Sequence, residues 1–163
     1  MAVDKQKHLY ELIKDFGEAM LVTRAKDGNM HARPMAVAEM QPDADAYFAA
    51  NIDSPKIAEI EADPQALITF QGGSRFASIV GDVSITRDRA QIDRLWSEAW
   101  RMWFPQGKDD GTFCLLKFEA RSGEYWDNSG AKGIRYIIEG VKALLQGHKP
   151  EIDERQHGKI EAA

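Results

Sequence analysis

The chain has 163 residues, 44% apolar and 29% charged, which fits one globular domain, with or without a helical tail, that folds without disulfides or metal. Its net charge of −5, with no Lys/Arg cluster, argues against nucleic acid as a partner. No apolar stretch approaches the ~20 residues of a membrane helix, and Met1-Ala2-Val3-Asp4-Lys5 lacks the apolar region of a signal peptide, so no membrane association and a cytoplasmic location are expected.

Leu9, Leu12, Ile13 and Phe16 recur at helical spacing behind Asp4, a good N-cap, and predict a helix over 4–16 ending at Gly17. The period then changes to two. Met20 to Ala25 and Met30 to Met40 read as strands joined by the turn Lys26-Asp27-Gly28-Asn29, since Asp-Gly between apolar runs is a strong hairpin signal. After the turn Gln41-Pro42-Asp43-Ala44-Asp45, Ala46 to Asn51 is a third strand.

Ser54-Pro55-Lys56 opens a short helix through Glu61, with Ser as N-cap and Pro at the first helical position, and Asp63-Pro64 stops it. Gln65 to Phe70 and Arg75 to Thr86 follow as strands around Gln71-Gly72-Gly73-Ser74. Asp88 caps a predicted helix through Met102, with Ile92, Leu95, Trp96 and Ala99 on one face, and Pro105 to Gly111 is a polar loop. Phe113 to Ala120 and Gly123 to Trp126 give two more strands. Residues 133–146 are expected to form a C-terminal helix and 147–163 a polar, partly frayed tail, so that 1–130 is the main domain and 131–163 an appendage. About seven strands with tight turns and few crossover helices suggest an antiparallel barrel with helices outside.

Several chemistries lack their motifs. There is no GxGxxG, no GxxxxGK[ST] and no Gly-x-Ser-x-Gly. His8, His31, His148 and His157 show no metal-ligand spacing. Cys114, the one cysteine, sits in the apolar run Phe113-Cys114-Leu115-Leu116 and reads as a buried small hydrophobe. Asp109-Asp110, beside Lys108 and Gly111, reads as a solvated turn.

Three other segments are able to meet at one anion. Pro34 in Arg33-Pro34-Met35 has no N–H for a ladder, so it belongs at an edge, an end or a bulge. Arg33 places a permanent planar donor beside it. Ser54-Pro55-Lys56 combines a hydroxyl, an ammonium and the unpaired N–H groups of a helix start. Phe48-Ala49-Ala50-Asn51 offers small residues against which a flat ring can approach the backbone. Each feature alone has an ordinary reading: Arg33 paired with a surface carboxylate, Ser54-Pro55 serving only as a cap. Their joint occurrence in this order favours a monophosphate site.

Leu21-Val22-Thr23, Asp27-Gly28, His31-Ala32-Arg33-Pro34-Met35, Ser54-Pro55-Lys56, Ser78-Ile79-Val80-Gly81, Trp103-Phe104-Pro105-Gln106-Gly107 and Glu124-Tyr125-Trp126 together resemble the pyridoxamine 5′-phosphate oxidase-like proteins, more narrowly their bacterial general stress protein branch, over residues 5–127. The resemblance implies a mainly β fold, a six-stranded antiparallel split β-barrel of the FMN-binding type, and a homodimer with FMN or FAD at its interface. By position, it implies that Arg33 and Lys56, helped by Ser54, hold the phosphate. Pro34, Met35 and Ala36 would meet the polar edge of the isoalloxazine, and Phe48, Ala49, Ala50 and Asn51 would flank the ring. Arg75 or Phe76, Trp103 and Trp126 would reach the flavin from the other subunit. Trp96, Trp100 and Trp103 also stand at a spacing that suits core or interface packing.

In the true oxidase a Glu-Phe-Trp segment is followed by an Arg-x-His-x-Arg stretch that binds substrate. Here Glu124-Tyr125-Trp126 is followed by Asp127-Asn128-Ser129-Gly130-Ala131-Lys132. The expected activity is therefore that of a flavin-dependent oxidoreductase on another small substrate, with reduced nicotinamide or a similar small electron donor. The alternative is a non-catalytic protein that stores or senses FMN or FAD. Related split-barrel chemistry on a deazaflavin, or on haem with His148 or His157 as axial ligand, is the third reading.

Overall fold

The computed structural model describes residues 4–130 and 156–161. In chain order the elements are α1 (Lys5–Ile13), β1 (Glu18–Arg24), β2 (Met30–Met40), β3 (Ala46–Asn51), α2 (Pro55–Ala62), β4 (Gln65–Gly72), β5 (Arg75–Thr86), α3 (Arg89–Leu95), β6 (Phe113–Asp127) and β7 (His157–Glu161). Two 3-10 turns, Glu98–Met102 and Gly107–Asp109, lie between α3 and β6. The sheet runs β3-β2-β1-β4-β5-β6-β7, and a further β3–β6 pairing closes the first six strands into an antiparallel barrel. The expected barrel is present, with β7 added outside it against the second half of β6.

The turn residues and the caps Asp4 and Asp88 act as their chemistry predicts, whereas Ser54, the expected cap of α2, makes no side-chain cap bond. Gly28 supplies a φ of 86° in the β1–β2 turn, while the Asp27 carboxylate accepts from the Asn29 backbone N–H at 3.0 Å. Asp4 and Asp88 accept from Lys7 and Gln91 N–H groups and start α1 and α3. Gly73 and Ser74 both have positive φ, which gives the tight β4–β5 hairpin and lets β4 run two residues past its expected end at Phe70.

The barrel interior holds Leu21, Phe48, Ile68, Ile79, Phe118 and Tyr125, all fully buried. Leu9, Leu12 and Ile13 of α1 cover one end, and Ile57 and Ile60 of α2 cover the other, near the end of β1. The first half of β6 is buried on both faces. Cys114, Leu116 and Phe118 point into the barrel, while Phe113 and Leu115 lie under a second cluster with Ile92, Trp100 and Phe104. Cys114 is buried as expected, and burial pushes its thiol up to about 11.

Three expectations need correction. The helix predicted over 88–102 breaks after Leu95, with extended backbone at Trp96 and Ser97. Trp96, Trp100 and Phe104 thereby all pack on Phe113, with ring centroids 5.1, 5.9 and 4.9 Å away. In one continuous helix the first and last of these would stand ~12 Å apart along the axis, too far to share one ring. The two strands predicted over 113–126 are one, β6, bent by a bulge. Val80 faces Ser122 and Gly81 faces Ala120, which leaves Arg121 as the extra residue at the expected break. Finally, His157–Glu161 of the expected tail is not frayed but hydrogen-bonds to β6. The helix predicted over 133–146 lies outside the described residues.

Candidate functional site

β1 pairs with β2 along its whole length, from Glu18–Ala36 to Arg24–Met30. β3 joins β2 only at Val37–Phe48 and beyond, while its later residues, Ala49 to Asn51, pair with Leu115 to Phe113 of β6. The barrel wall is therefore split along residues 30–36 of β2. Pro34 lies on this open edge, where its missing N–H costs no ladder bond.

A cavity of about 470 Å³ occupies the split. One lip is Pro34, Met35 and Ala36; the other is Ala49, Ala50 and Asn51. Trp100, Trp103 and Phe104 form an aromatic side, and Lys56 stands at one end. Three alanines among the lip residues leave room for a flat aromatic ligand against backbone, a lining that larger side chains would fill. The volume is that of an ordinary small-molecule site.

Lys56 also lines an adjoining groove of about 530 Å³ with His31, Arg33 and Glu59. The Lys56 ammonium is half-buried and donates to Ser54 Oγ at 2.8 Å. Burial first, and the Arg33 charge second, hold its pKa below the ordinary lysine value. The Ser54 hydroxyl in turn donates to the Asn51 carbonyl at 2.6 Å, which ties the end of β3 to the start of α2. Cations from an interrupted strand and a helix start thus meet at one groove.

Glu59 forms the groove's back wall. Its carboxylate is buried and accepts from Thr23 Oγ1 at 2.5 Å, His31 Nδ1 at 2.6 Å and Arg33 Nη2 at 2.9 Å. The Thr23 bond contributes most, with His31 and Arg33 adding to it, and together they pull the carboxyl down to about 2 against the opposing effect of burial. Arg33 Nη1 also donates to Thr23 Oγ1 at 2.5 Å. Arg33 does pair with a carboxylate, but with the buried Glu59 and not with a surface one.

Of the remaining residues expected at the site, Trp103 lines the cavity, while Phe48, Arg75, Phe76 and Trp126 line neither the cavity nor the groove of their own chain. Phe48 turns its ring into the barrel core. Trp103, 62% exposed, lines the cavity of its own chain. Arg75 donates to the Leu12 carbonyl at 3.2 Å and sits over the Phe16 ring, anchoring α1 at the far end of the barrel. Phe76 and Trp126 are paired neighbours on the outer face of β5 and β6. His157 stacks on Trp126 and hydrogen-bonds to Glu124 at 2.6 Å. Asp109 pairs with Arg89 and Asp110 caps Thr112, as a structural turn should.

The sequence reading missed Thr23, His31 and Glu59. Strand parity carried the signal, because Thr23 shares the inward phase of Ala19 and Leu21, and His31 and Arg33 that of Met35. Three inward polar side chains at one barrel end demand a buried partner.

The family model described as pyridoxamine 5′-phosphate oxidase like matches residues 4–151. The chain belongs to this family. Among solved structures, this family member is similar to a candidate general stress protein 26 from Jannaschia sp. CCS1, at 24% identity and TM-score 0.71 over 97% of this chain and 98% of that one. It is similar to the general stress FMN/FAD binding protein of Xanthomonas citri, at 28% identity and TM-score 0.67 over 78% of this chain and 92% of that one. General Stress Protein 26 of Bacillus anthracis str. Sterne shares the fold at 19% identity, TM-score 0.68, over 76% of this chain and 94% of that one. No curated protein matches. Among the described residues, no helix of this pyridoxamine 5′-phosphate oxidase-like chain is long and apolar enough to cross a membrane, and no cluster of His, Cys, Asp or Glu has metal-site geometry.

Proposed function

We propose that the chain binds FMN, with the isoalloxazine in the split between β2 and β3 and the phosphate in the adjoining groove. One observation carries the reading: Lys56 lines both spaces, so a ligand with a flat head and an anionic tail spans them in a single pose. The alanine lips suit the ring, and Lys56, Ser54 and Arg33 suit the phosphate. The flavin-binding neighbour from Xanthomonas citri supports the same choice.

A bound flavin supplies hydride or single-electron transfer. The chain's own part is to hold the ring, exclude water with Trp100, Trp103 and Phe104, and fix the phosphate. Glu124-Tyr125-Trp126 leads into Asp127-Asn128-Ser129, with no Arg-x-His-x-Arg stretch for a pyridoxamine phosphate substrate. The activity we infer is a flavin-dependent oxidoreduction of another small molecule, fed by reduced nicotinamide or a similar donor.

The site is completed by a second copy of the chain. Met20, Phe76 and Trp126 are exposed large apolar side chains on the outer sheet face. Register aligns Met20 with Pro34, the open lip of the cavity, on that face. A partner seated there covers both.

The test is to denature the purified protein, identify the released chromophore, and assay reduction by NADH and NADPH. Released FMN with reduction on mixing supports the full reading. FMN that neither donor reduces supports binding without catalysis. A protein that binds neither FMN nor FAD overturns the proposal.

A further inference from the structure

Arg33 cannot act alone at the groove, because its geometry is set from behind. Nη1 is committed to Thr23 Oγ1 at 2.5 Å and, more weakly, to the Leu21 carbonyl at 3.5 Å. Nη2 spends one proton on Glu59 at 2.9 Å. A guanidinium has five N–H bonds. Nε–H and the second Nη2–H therefore remain without a protein acceptor among the described residues, on the edge suited to side-on pairing with a phosphoryl group.

The anchor is directional. Thr23 accepts from Arg33 and donates to Glu59, so the three groups form a closed ring of hydrogen bonds. The other carboxylate oxygen holds His31 Nδ1 at 2.6 Å, which leaves Nε2 as the histidine's second hydrogen-bonding atom. The His31 side chain is half exposed and lines the same groove. Both Glu59 oxygens are thus turned to their donors. An arginine held this way has already lost the side-chain entropy that a free one loses on binding.

From this arrangement we infer that Glu59 is a positioning residue that, through Thr23, sets the Arg33 guanidinium and the His31 ring for an anionic phosphoryl group, and so makes the site selective for phosphorylated over unphosphorylated ligands. The inference rests on the flavin site proposed above. It assigns a function to a buried carboxylate that would otherwise oppose anion binding by its charge.

FMN and riboflavin share the ring and ribityl chain and differ in the phosphate, so titrating both into apoprotein isolates the effect. Wild type is read first: failure to bind FMN sinks the flavin reading and not this one alone. Given wild-type binding, Glu59→Gln is expected to weaken FMN at least tenfold and to leave riboflavin within twofold. Glu59→Asp, which keeps the charge on a shorter arm, should fall between. Thr23→Val, close to isosteric, should weaken FMN several-fold with riboflavin unchanged, and it carries the test if Glu59→Gln does not fold. Equal losses for both ligands would show a merely structural role and overturn the inference. Unchanged or tighter FMN binding in Glu59→Gln and Thr23→Val would overturn it as well.

Discussion

The Lys56 ammonium donates to the Ser54 hydroxyl at 2.8 Å, across the first turn of α2. This bond holds a half-buried cation at the junction of cavity and groove, both of which it lines. Lys56→Met keeps the apolar stem and removes the charge. One charge-assisted bond to phosphate is worth ~1.5–3 kcal/mol, so FMN affinity should fall by at least tenfold, with far-UV circular dichroism unchanged. Flavin fluorescence quenching measures it, and a variant that retains full affinity would remove Lys56 from the site.

The Glu59 carboxyl gives a pH dependence whose sign is determined. Its folded value, about 2, lies below the ordinary 4.5, so the unfolded chain binds the proton more readily. The contribution to stability is fully present above about pH 4.5 and is lost as pH falls through 2. It amounts to roughly 3 kcal/mol at most. Urea midpoints of wild type and Glu59→Gln should converge between pH 6 and pH 2. A constant gap over that range would mean that the Glu59 carboxyl titrates alike in the folded and unfolded chains.

Local chemistry made much of the fold legible. Asp27-Gly28 and Asp88 each act through bonds within four residues of chain, and Pro55 stands at the start of α2, where the Ser54 hydroxyl makes no cap bond and donates to the Asn51 carbonyl instead. The misread elements depend on distant partners. The break at Trp96–Ser97 follows from Phe113, and the β6 bulge from the close approach of β5 at Gly81. β7 exists as a strand only because β6 offers it an edge. At the site, Arg33, Ser54 and Lys56 stood out because a cation beside a strand proline and a hydroxyl and ammonium at a helix start occur together in this order. Glu59 did not, because a glutamate in a short helix looks solvated until Thr23 and His31 are seen to point at it.

Two glycines separate barrel stability from β7 docking. A Cβ on Gly81 would stand 2.3 Å from the Glu119 carbonyl oxygen and 2.6 Å from the Phe118 ring, where backbone blocks relief. Gly81→Ala should destabilise the whole barrel by about 3 kcal/mol. At Gly158 the Cβ would meet the Tyr125 hydroxyl at 2.5 Å and its ring at 2.6 Å, under an outer strand. Gly158→Ala should instead release β7, speeding exchange of its amides while those of β1 and β4 stay protected. Hydrogen exchange distinguishes the two, and equal loss of protection in both regions would contradict independent docking of β7.

The proposed dimer puts a specific demand on Phe76. Its ring is 38% exposed, opposite Trp126 in the β5–β6 register, with Ser78 and Val80 continuing the same outward phase. A carboxylate there costs little in a monomer, since the face is open to water. Buried against a second copy it would lose its hydration, at a cost of several kcal/mol. Phe76→Glu should therefore yield a folded monomer by light scattering at micromolar concentration. In the proposed dimer a second copy covers the open lip at Pro34, so that monomer should also bind FMN less tightly. Should wild type already be monomeric, or should the variant dimerise as well as wild type, the outer face of β5 and β6 is not the interface. Should a monomeric variant keep full FMN affinity, the flavin is held by one subunit alone.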